Sequence, residues 1–178
     1  MKLTRTLLIA STLIAAAGAA QAADTGLYGY GNLGHTDQKP EGLKNAKDRD
    51  GSGGLGLGYR VNDNFAVEGG YANYGKTKAN NGEIKRDGAR VAALGILPLN
   101  DKVDVYGSAS ANYVHTKGTV NGVSRTANDW APGVGVGVGY KLTDRVGVRA
   151  GYDRIMNVGD KALKTDMNAY NVGVTARF

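Results

Sequence analysis

Eight stretches of this chain alternate between apolar residues and polar or small ones, which limits the chain to a fold built of strands. In the last stretch, Tyr170, Val172, Val174, Ala176 and Phe178 alternate with residues of the other kind. A period of two places one kind of side chain on each face of a β-strand. The eight stretches are 26–35, 51–60, 64–74, 88–97, 103–115, 130–141, 146–156 and 167–178. Each is about as long as a strand that crosses a membrane at a tilt.

The N-terminal residues have the pattern of a secretory signal peptide. Lys2 and Arg5 precede an apolar run over 7–20, and Ala20-Gln21-Ala22 forms a small-x-small cleavage motif. A transmembrane anchor is the alternative, but a bilayer helix needs roughly 20 apolar residues and this run is shorter. We therefore expect cleavage after Ala22, which leaves an exported domain over 23–178.

The composition favours strands and argues against several kinds of site. The chain has 28 glycines and 3 prolines, and a glycine inside a helix costs up to about 1 kcal/mol relative to alanine. Cysteine is absent, which excludes a disulfide scaffold and a thiolate metal site. The net charge is +6, but the basic residues of 39–50 are mixed with acidic ones. That segment is predicted to be a solvated loop near lipid headgroups rather than a nucleic-acid surface.

The connections between the eight stretches alternate in length. Those over 61–63, 98–102 and 142–145 are short, whereas those over 36–50, 75–87, 116–129 and 157–166 are long and polar. Short periplasmic turns and long outer loops are typical of outer-membrane barrels. We predict an all-β fold, an eight-stranded antiparallel transmembrane β-barrel in a Gram-negative outer membrane with both chain ends at the periplasmic side. Such a barrel pairs its last strand with its first, so that no strand edge meets lipid.

Aromatic residues lie near both ends of the predicted strands, as they do in the girdles that mark membrane interfaces. Near the short turns the outward aromatic residues are Tyr59, Phe65, Tyr140 and Phe178. Near the long loops they are Tyr71, Tyr113, Trp130, Tyr152 and Tyr170. The pattern predicts two girdles of interface aromatics.

Two strands leave their register open. In the fourth, Val91 and Ala93 suit the outer face, and Leu94 and Ile96 then point inward unless a β-bulge intervenes. In the first strand, outward Leu27 and Leu33 send the two tyrosines between them, Tyr28 and Tyr30, into the lumen. A small barrel has room to pack such rings.

Several short motifs along 51–178 belong to one known pattern. They are Tyr59-Arg60-Val61-Asn62, Val67-Glu68-Gly69-Gly70-Tyr71, Asp104-Val105-Tyr106, Arg149-Ala150-Gly151-Tyr152, Asn157-Val158-Gly159-Asp160 and Val172-Gly173-Val174. Together they resemble the transmembrane domain of OmpA-type outer membrane proteins, and this resemblance implies a barrel domain. Such proteins often continue into a peptidoglycan-binding domain, which is not expected for a sequence that ends at Phe178.

The terminal strand is similar to the assembly signal of that family. Asn171, Gly173 and Phe178 match its polar, glycine and terminal phenylalanine positions, while Ala176 stands where an aromatic residue is usual. The resemblance implies recognition by the barrel-assembly machinery. A simpler physical interpretation is that Phe178 anchors the rim of the barrel in the membrane interface, and the two roles are compatible.

Glu68 and Arg149 are the candidate functional pair inside the barrel. Both point inward by parity, each lies four residues past a short turn counted from Asn64 and Arg145, and their strands face each other across the barrel. In the resembling family, the matching positions form an ion pair discussed as a gate, whose second charged partners align with Leu94 and Gly139 here. A purely structural ion pair is the preferred interpretation, because interior charges must be paired or hydrated.

Inward glycines offer two interpretations of the lumen. They lie on the second and sixth strands at Gly54, Gly56, Gly58, Gly133, Gly135, Gly137 and Gly139. They either widen a water-filled passage or give room to Tyr28, Tyr30, Tyr106 and arginine side chains. We expect the second, with discrete water pockets rather than an open pore.

The sequence does not indicate an enzyme. His35 and His115 both have outward parity on opposite sides of the barrel, so no catalytic triad and no catalytic residue is predicted. Asp48, Asp50 and Asp129 lie in different loops, so no metal site or cofactor is predicted either.

The expected role is therefore structural and surface-facing, with contributions to envelope integrity and surface interactions through the outer loops. A low-conductance, porin-like channel is the first alternative, and a periplasmic lipocalin-like carrier is the second. The carrier is disfavoured because charged residues are predicted in the lumen: Arg60, Glu68, Arg90, Asp104, Lys141 and Arg149. The expected partners are outer-membrane lipid, lipopolysaccharide and the barrel-assembly machinery, with no nucleic acid and an extracellular ligand that the sequence does not specify.

Overall fold

The computed structural model describes residues 25–38, 49–79, 82–120, 123–158 and 165–178. The predicted signal peptide over 1–22 and its cleavage site after Ala22 lie outside these residues. In the part of the chain that is described, no helix is long and apolar enough to cross a membrane.

All eight predicted strands are present, and they form one closed antiparallel sheet in which spatial neighbours follow the order of the sequence. The strands are β1 (Gly26–Gln38), β2 (Arg49–Asn62), β3 (Phe65–Ala79), β4 (Gly82–Pro98), β5 (Val103–Val120), β6 (Val123–Lys141), β7 (Val146–Val158) and β8 (Thr165–Arg177). The predicted fold class, an eight-stranded antiparallel β-barrel, is confirmed.

The barrel closes between β1 and β8. Their backbones pair from Tyr28 with Arg177 to Gln38 with Met167, and the Phe178 N–H donates to the Leu27 carbonyl oxygen at 3.2 Å. Each strand therefore has a partner on both sides, so that no row of backbone N–H and C=O groups faces lipid unpaired. The predicted pairing of the last strand with the first is confirmed.

Two of the four connections predicted as long loops are mostly strand. β3 extends to Ala79 and β4 begins at Gly82, while β5 extends to Val120 and β6 begins at Val123. The loop predictions over 75–87 and 116–129 are therefore wrong for the described residues. Polar side chains mark where a strand leaves hydrocarbon, but backbone N–H and C=O groups still form ladder hydrogen bonds beyond that point.

The short turns are stabilised by side-chain oxygens that accept backbone N–H groups. Asn100 Oδ1 accepts from the N–H groups of Lys102 and Val103 at 2.9 and 2.8 Å. Thr143 Oγ1 accepts from Arg145 and Val146 at 3.3 and 3.0 Å. Asn and Thr compete for local backbone groups in this way, which makes them good turn residues.

The structure resolves both open registers. β4 pairs with β5 from Gly82 to Pro98 without a shift, so no bulge interrupts it there, and Leu94 points inward with 4% of its surface exposed. Ile96 packs against the same interior cluster. On β1, Tyr28 and Tyr30 are buried in the lumen, as their parity predicts.

Two apolar clusters fill the interior at different heights. The lower cluster, toward the short turns, consists of Tyr28, Tyr30, Ala66, Ala92 and Leu94. The upper cluster, toward the long connections, consists of Tyr74, Val114, Ala131, Ile155 and Met167. The interior is therefore a packed core with charged residues between apolar layers, as expected for a barrel of only eight strands.

Candidate functional site

The predicted pair of Glu68 and Arg149 forms a direct ion pair across the lumen. Arg149 Nη1 donates to Glu68 Oε1 at 2.6 Å, and the two side chains are only 10% and 5% exposed. The Tyr28 hydroxyl donates to the same carboxylate oxygen at 2.8 Å. The Arg149 guanidinium also lies 4.5 Å from the centre of the Tyr30 ring, close enough for a cation–π interaction. Tyrosines of β1 thus hold both partners in place.

A second ion pair, which was not predicted from the sequence, lies nearer the long connections. Arg90 Nη2 donates to Asp153 Oδ1 at 2.9 Å, and Asn171 Nδ2 donates to Asp153 Oδ2 at 2.9 Å. Arg90 was predicted to face the lumen, but its partner was not. The sequence contains a signal for this pair. Arg90 lies eight residues before Pro98 and Asp153 eight residues after Arg145, so both lie at a similar height above the short turns.

This second pair bears on the gate interpretation. The aligned positions Leu94 and Gly139 carry no charge, and Leu94 belongs to the lower apolar cluster. Arg90 and Asp153 supply a second charged pair from other positions, two inward steps beyond Leu94 on β4 and two beyond Arg149 on β7. The described part of the lumen therefore contains two ion pairs, whereas the positions matched to the family's network supply only the pair of Glu68 and Arg149.

Inward glycines give the large lumenal side chains their space. A Cβ added at Gly58 would clash with the Tyr28 ring, and one added at Gly137 would clash with the Tyr106 ring. A Cβ at Gly135 would meet the Asp153 carboxylate, and one at Gly139 would meet that of Asp104. These contacts agree with the interpretation that the glycines accommodate bulky neighbours rather than line an open passage.

The other predicted lumenal charges sit toward the short-turn end. The Arg60 guanidinium donates from Nη2 to the Asp63 carbonyl oxygen at 2.8 Å and from Nε to that of Asn62 at 3.3 Å. Asp104 and Lys141 are partly buried and, with Arg60 and Glu68, line a cavity of about 80 Å³ at this end. A cavity of that size with polar walls has room for a few water molecules.

The predicted interface aromatics form two girdles on the outer face. In the girdle near the long connections, Tyr113 packs on Trp130 with ring centroids 5.3 Å apart, and Tyr152 packs on Tyr170 at 5.1 Å. Tyr71 completes it, and its hydroxyl donates to Asp87 Oδ2 at 2.7 Å. Tyr59, Phe65 and Tyr140 are exposed on the outer face near the short turns, where Phe178 is partly exposed.

The three residues of the predicted assembly signal occupy different settings, two of them in β8 and the third directly after it. Asn171 points inward to Asp153, Phe178 is at the rim, and Gly173 lies where a Cβ would collide with the Gly31 carbonyl of β1. The close approach of β1 therefore explains why glycine is needed at position 173, whether or not the residue is part of an assembly signal. Recognition by the assembly machinery stays a prediction.

Comparison with known proteins identifies the family. Residues 6–178 match the family described as outer membrane protein beta-barrel domain. The chain belongs to this family. Outer membrane protein A of Serratia marcescens is 32% identical over 177 residues, covering 90% of this chain and 47% of that protein. Outer membrane protein A of Yersinia pseudotuberculosis is 30% identical over 198 residues, covering 96% and 54%. The chain spans about half the length of these two relatives.

Solved structures of outer-membrane barrels share the fold. Neisserial surface protein A superposes with a TM-score of 0.75 at 21% identity, over 85% of this chain and 97% of that chain. Ail of Yersinia pestis gives 0.64 at 17%, over 88% and 100%. The N-terminal barrel domain of Pseudomonas aeruginosa OprF gives 0.60 at 14%, over 84% and 97%.

Family membership places this barrel in the outer membrane. The apolar outer face and its girdles fit that location, and the location sets aside the soluble periplasmic carrier. The two histidines of the beta-barrel domain lie on opposite strands, β1 and β5, and His115 Nδ1 is 2.6 Å from Asn128 Oδ1. The structure does not bring the histidines together.

Proposed function

We propose that this outer-membrane barrel is a structural, surface-facing protein that supports envelope integrity and presents its outer connections to the surroundings. Its partners in this role are outer-membrane lipid, lipopolysaccharide and the barrel-assembly machinery. The observation that carries the proposal is the filled lumen, in which both ion pairs lie among apolar clusters. Such a core gives a rigid anchor and leaves the outer surface and the loops as the parts that interact.

The test is a strain that lacks the protein. We expect the deletion to raise leakage of a periplasmic enzyme and sensitivity to detergents, and the wild-type chain to restore both. A variant with 39–48 replaced by a Gly-Ser linker should restore integrity but lose any surface interaction that the loops provide. A deletion strain whose envelope is as tight as that of its parent would contradict the integrity role.

Weak conduction is the second candidate, and one observation favours it. Glu68 pairs in register with Ala92, two residues from Arg90, so its carboxylate has a second guanidinium nearby on the neighbouring strand. An exchange of partners from Arg149 to Arg90 would rearrange the charged layers of the lumen.

Planar-bilayer recordings separate the two functions. We expect the refolded wild-type barrel and the Glu68→Ala variant both to show no stable current. A gated current in the wild type that changes in Glu68→Ala would replace the structural role with a transport role.

A further inference from the structure

Four polar residues lie side by side on the outer face of the barrel, just beyond the aromatic girdle near the long connections. The backbone register pairs each of them with the next, and the row crosses β3 to β6 as Asn73, Asp87, His115 and Asn128. We call these four positions the polar row. All four side chains are exposed or partly exposed. The polar row therefore presents one carboxylate, one imidazole and two amides in a line across the sheet.

The hydrogen bonds on the β3 side of the polar row use only part of its capacity. Asp87 Oδ2 accepts the Tyr71 hydroxyl at 2.7 Å, and Asn73 Oδ1 accepts the Gly75 N–H at 2.9 Å. A carboxylate has a second acceptor oxygen, and a side-chain amide has a donor NH2 group beside its oxygen. Among the described residues, neither Asp87 Oδ1 nor Asn73 Nδ2 has a hydrogen-bond partner. One acceptor and one donor group therefore remain for a ligand.

The contact between His115 and Asn128 leaves a matching pair of groups on the β6 side. His115 Nδ1 lies 2.6 Å from Asn128 Oδ1. An amide oxygen can only accept a hydrogen bond, so the neutral imidazole carries its proton on Nδ1 and offers Nε2 as an acceptor. The Nδ2 group of Asn128 remains as a donor. The polar row thus offers two acceptors in its middle and a donor at each end.

Aromatic side chains lie directly beneath the polar row. The register row below it runs across β3 to β6 as Tyr71, Ala89, Tyr113 and Trp130. We call its three aromatic members the aromatic ledge. Trp130 is 65% exposed and packs on Tyr113, while exposed Ala89 leaves a gap between the two tyrosines. Two residues separate the ledge from the polar row on each strand, which is about 7 Å, close to the width of one sugar ring.

A sugar matches both layers of this surface. One face of a pyranose ring consists of C–H groups, which suit the electron-rich face of an exposed aromatic ring. Its edge carries hydroxyl groups that donate and accept, as the polar row requires. A phosphate matches less well, because the Asp87 carboxylate stands in the middle of the row and like charges repel each other.

The position of the surface decides where such a sugar comes from. Aromatic girdles mark the headgroup level of a membrane, and the long connections of outer-membrane barrels lie on the extracellular side. The polar row faces away from the lumen at that level. A sugar that reaches it therefore belongs to a lipid of the outer leaflet rather than to a glycan in solution.

We propose that the polar row and the aromatic ledge bind the sugar headgroup of a glycolipid in the outer leaflet. One sugar ring lies over Trp130 with its hydroxyls toward His115 and Asn128, and the next reaches Asp87 above Ala89. The inference rests on the proposed contact with lipopolysaccharide. It names the part of that lipid which this face recognises, its sugars rather than its phosphates.

The other aromatic pair of the same girdle is a built-in comparison. Tyr152 packs on Tyr170, and its hydroxyl donates to Asn168 Oδ1 at 2.7 Å. Arg154 and Asp166 form an ion pair on the same two strands. The polar groups beside this pair are thus engaged with one another, and a charged pair replaces the neutral donors and acceptors of the polar row.

Trp130 reports on the site, because it is the sole tryptophan of the chain. The barrel is refolded into phosphatidylcholine vesicles, and Trp130 quenching by brominated digalactosyldiacylglycerol is compared with quenching by brominated phosphatidylcholine. This glycolipid has no charge, so a preference for it reports on the sugars alone. We expect the wild type to prefer the glycolipid. Asp87→Ala and Asn128→Ala should each lower that preference about fivefold, the effect of one lost hydrogen bond.

Two control variants make the result specific. Asn168→Ala removes an amide beside the other aromatic pair, and Lys117→Gln removes a positive charge two residues beyond His115 on β5. Both should keep the wild-type preference. No preference in the wild type, or an equal loss in either control, would overturn the proposal. Heat-modifiable migration in detergent gels confirms folding of every variant.

A competition experiment tests the source of the sugar. Lipopolysaccharide with its core sugars should displace the brominated glycolipid at a lower concentration than lipid A, which has the phosphates and acyl chains without the core. Equal displacement by the two would overturn recognition of sugars. Free core oligosaccharide that displaces as well as intact lipopolysaccharide would overturn the membrane-anchored ligand. These measurements use the purified barrel, so they can fail while the envelope role holds, and the reverse.

Discussion

Arg149 donates to Glu68 across the lumen at 2.6 Å, and the carboxylate oxygen that accepts this bond also accepts the Tyr28 hydroxyl at 2.8 Å. Glu68→Gln would leave the Arg149 charge buried without its counter-charge. We expect the free energy of unfolding to fall by about 3–5 kcal/mol, the usual cost of breaking a buried pair on one side. Unfolding by urea of the barrel in lipid vesicles measures this free energy for the wild type and the variant.

The control is the exposed pair of Arg154 and Asp166, whose side chains are 52% and 40% exposed. Arg154→Gln should change stability little, because water and salt screen exposed pairs. A Glu68→Gln variant as stable as Arg154→Gln would show that the lumenal pair is hydrated and does not stabilise the fold.

Arg90 and Asp153 are expected to act as a coupled pair. In a double-mutant cycle with Arg90→Gln and Asp153→Asn, the coupling energy should be about 0.5–3 kcal/mol, the range found for residues in contact. The same unfolding assay supplies the four stabilities. Additive effects of the two changes would contradict a direct interaction at this site.

A side chain at Gly137 is expected to destabilise the barrel. A Cβ there would clash with the Tyr106 ring, so Gly137→Ala should lower stability by about 1–3 kcal/mol through overpacking. Gly69 is the matched control, since a Cβ at this outward position meets no atom within 4 Å. If both alanine variants unfold at the same urea concentration, the lumen has more free space than the structure indicates.

Phe178 is expected to matter more for assembly in cells than for refolding in vitro. Phe178→Ala should lower the amount of protein in the outer membrane, while the refolded yield in detergent stays near that of the wild type. Immunoblots of outer-membrane fractions and gel-shift refolding assays measure the two quantities. Phe65→Ala, an aromatic loss at the same interface, serves as the control. Equal losses of membrane protein in the two variants would reduce Phe178 to an interface anchor.

Much of the fold is predictable from the period-two alternation. The pattern identifies all eight strands because lipid selects one face and the narrow lumen the other. It also places Tyr28 and Tyr30 in the lumen, although aromatic side chains would suit the lipid-facing side too. The reason is that Leu27 and Leu33 have the opposite parity and must face outward. It underestimates the length of β3, β4, β5 and β6, because backbone pairing continues where the polar side chains no longer report on lipid.

The candidate site was only half predictable. Parity shows that a residue points into the lumen, but not which residue it meets on the far wall, because that depends on the tilt and stagger of the strands. Glu68 and Arg149 were found because each lies four residues past a short turn. Arg90 and Asp153 are also equally far from a short turn, but the distance is eight residues. Over that distance, small differences in strand tilt add up. The register of β4 could not be predicted from its own sequence, because it is determined by the pairing with β5.

The seam between β1 and β8 determines when this molecule can become a barrel. Gln38 and Met167 meet there although 128 residues separate them in the chain. Contacts between such distant parts form slowly, because a long loop must close before any bond rewards it. Until β8 pairs with β1, the apolar outer faces of the strands stay uncovered and the sheet keeps open edges, and both features favour aggregation.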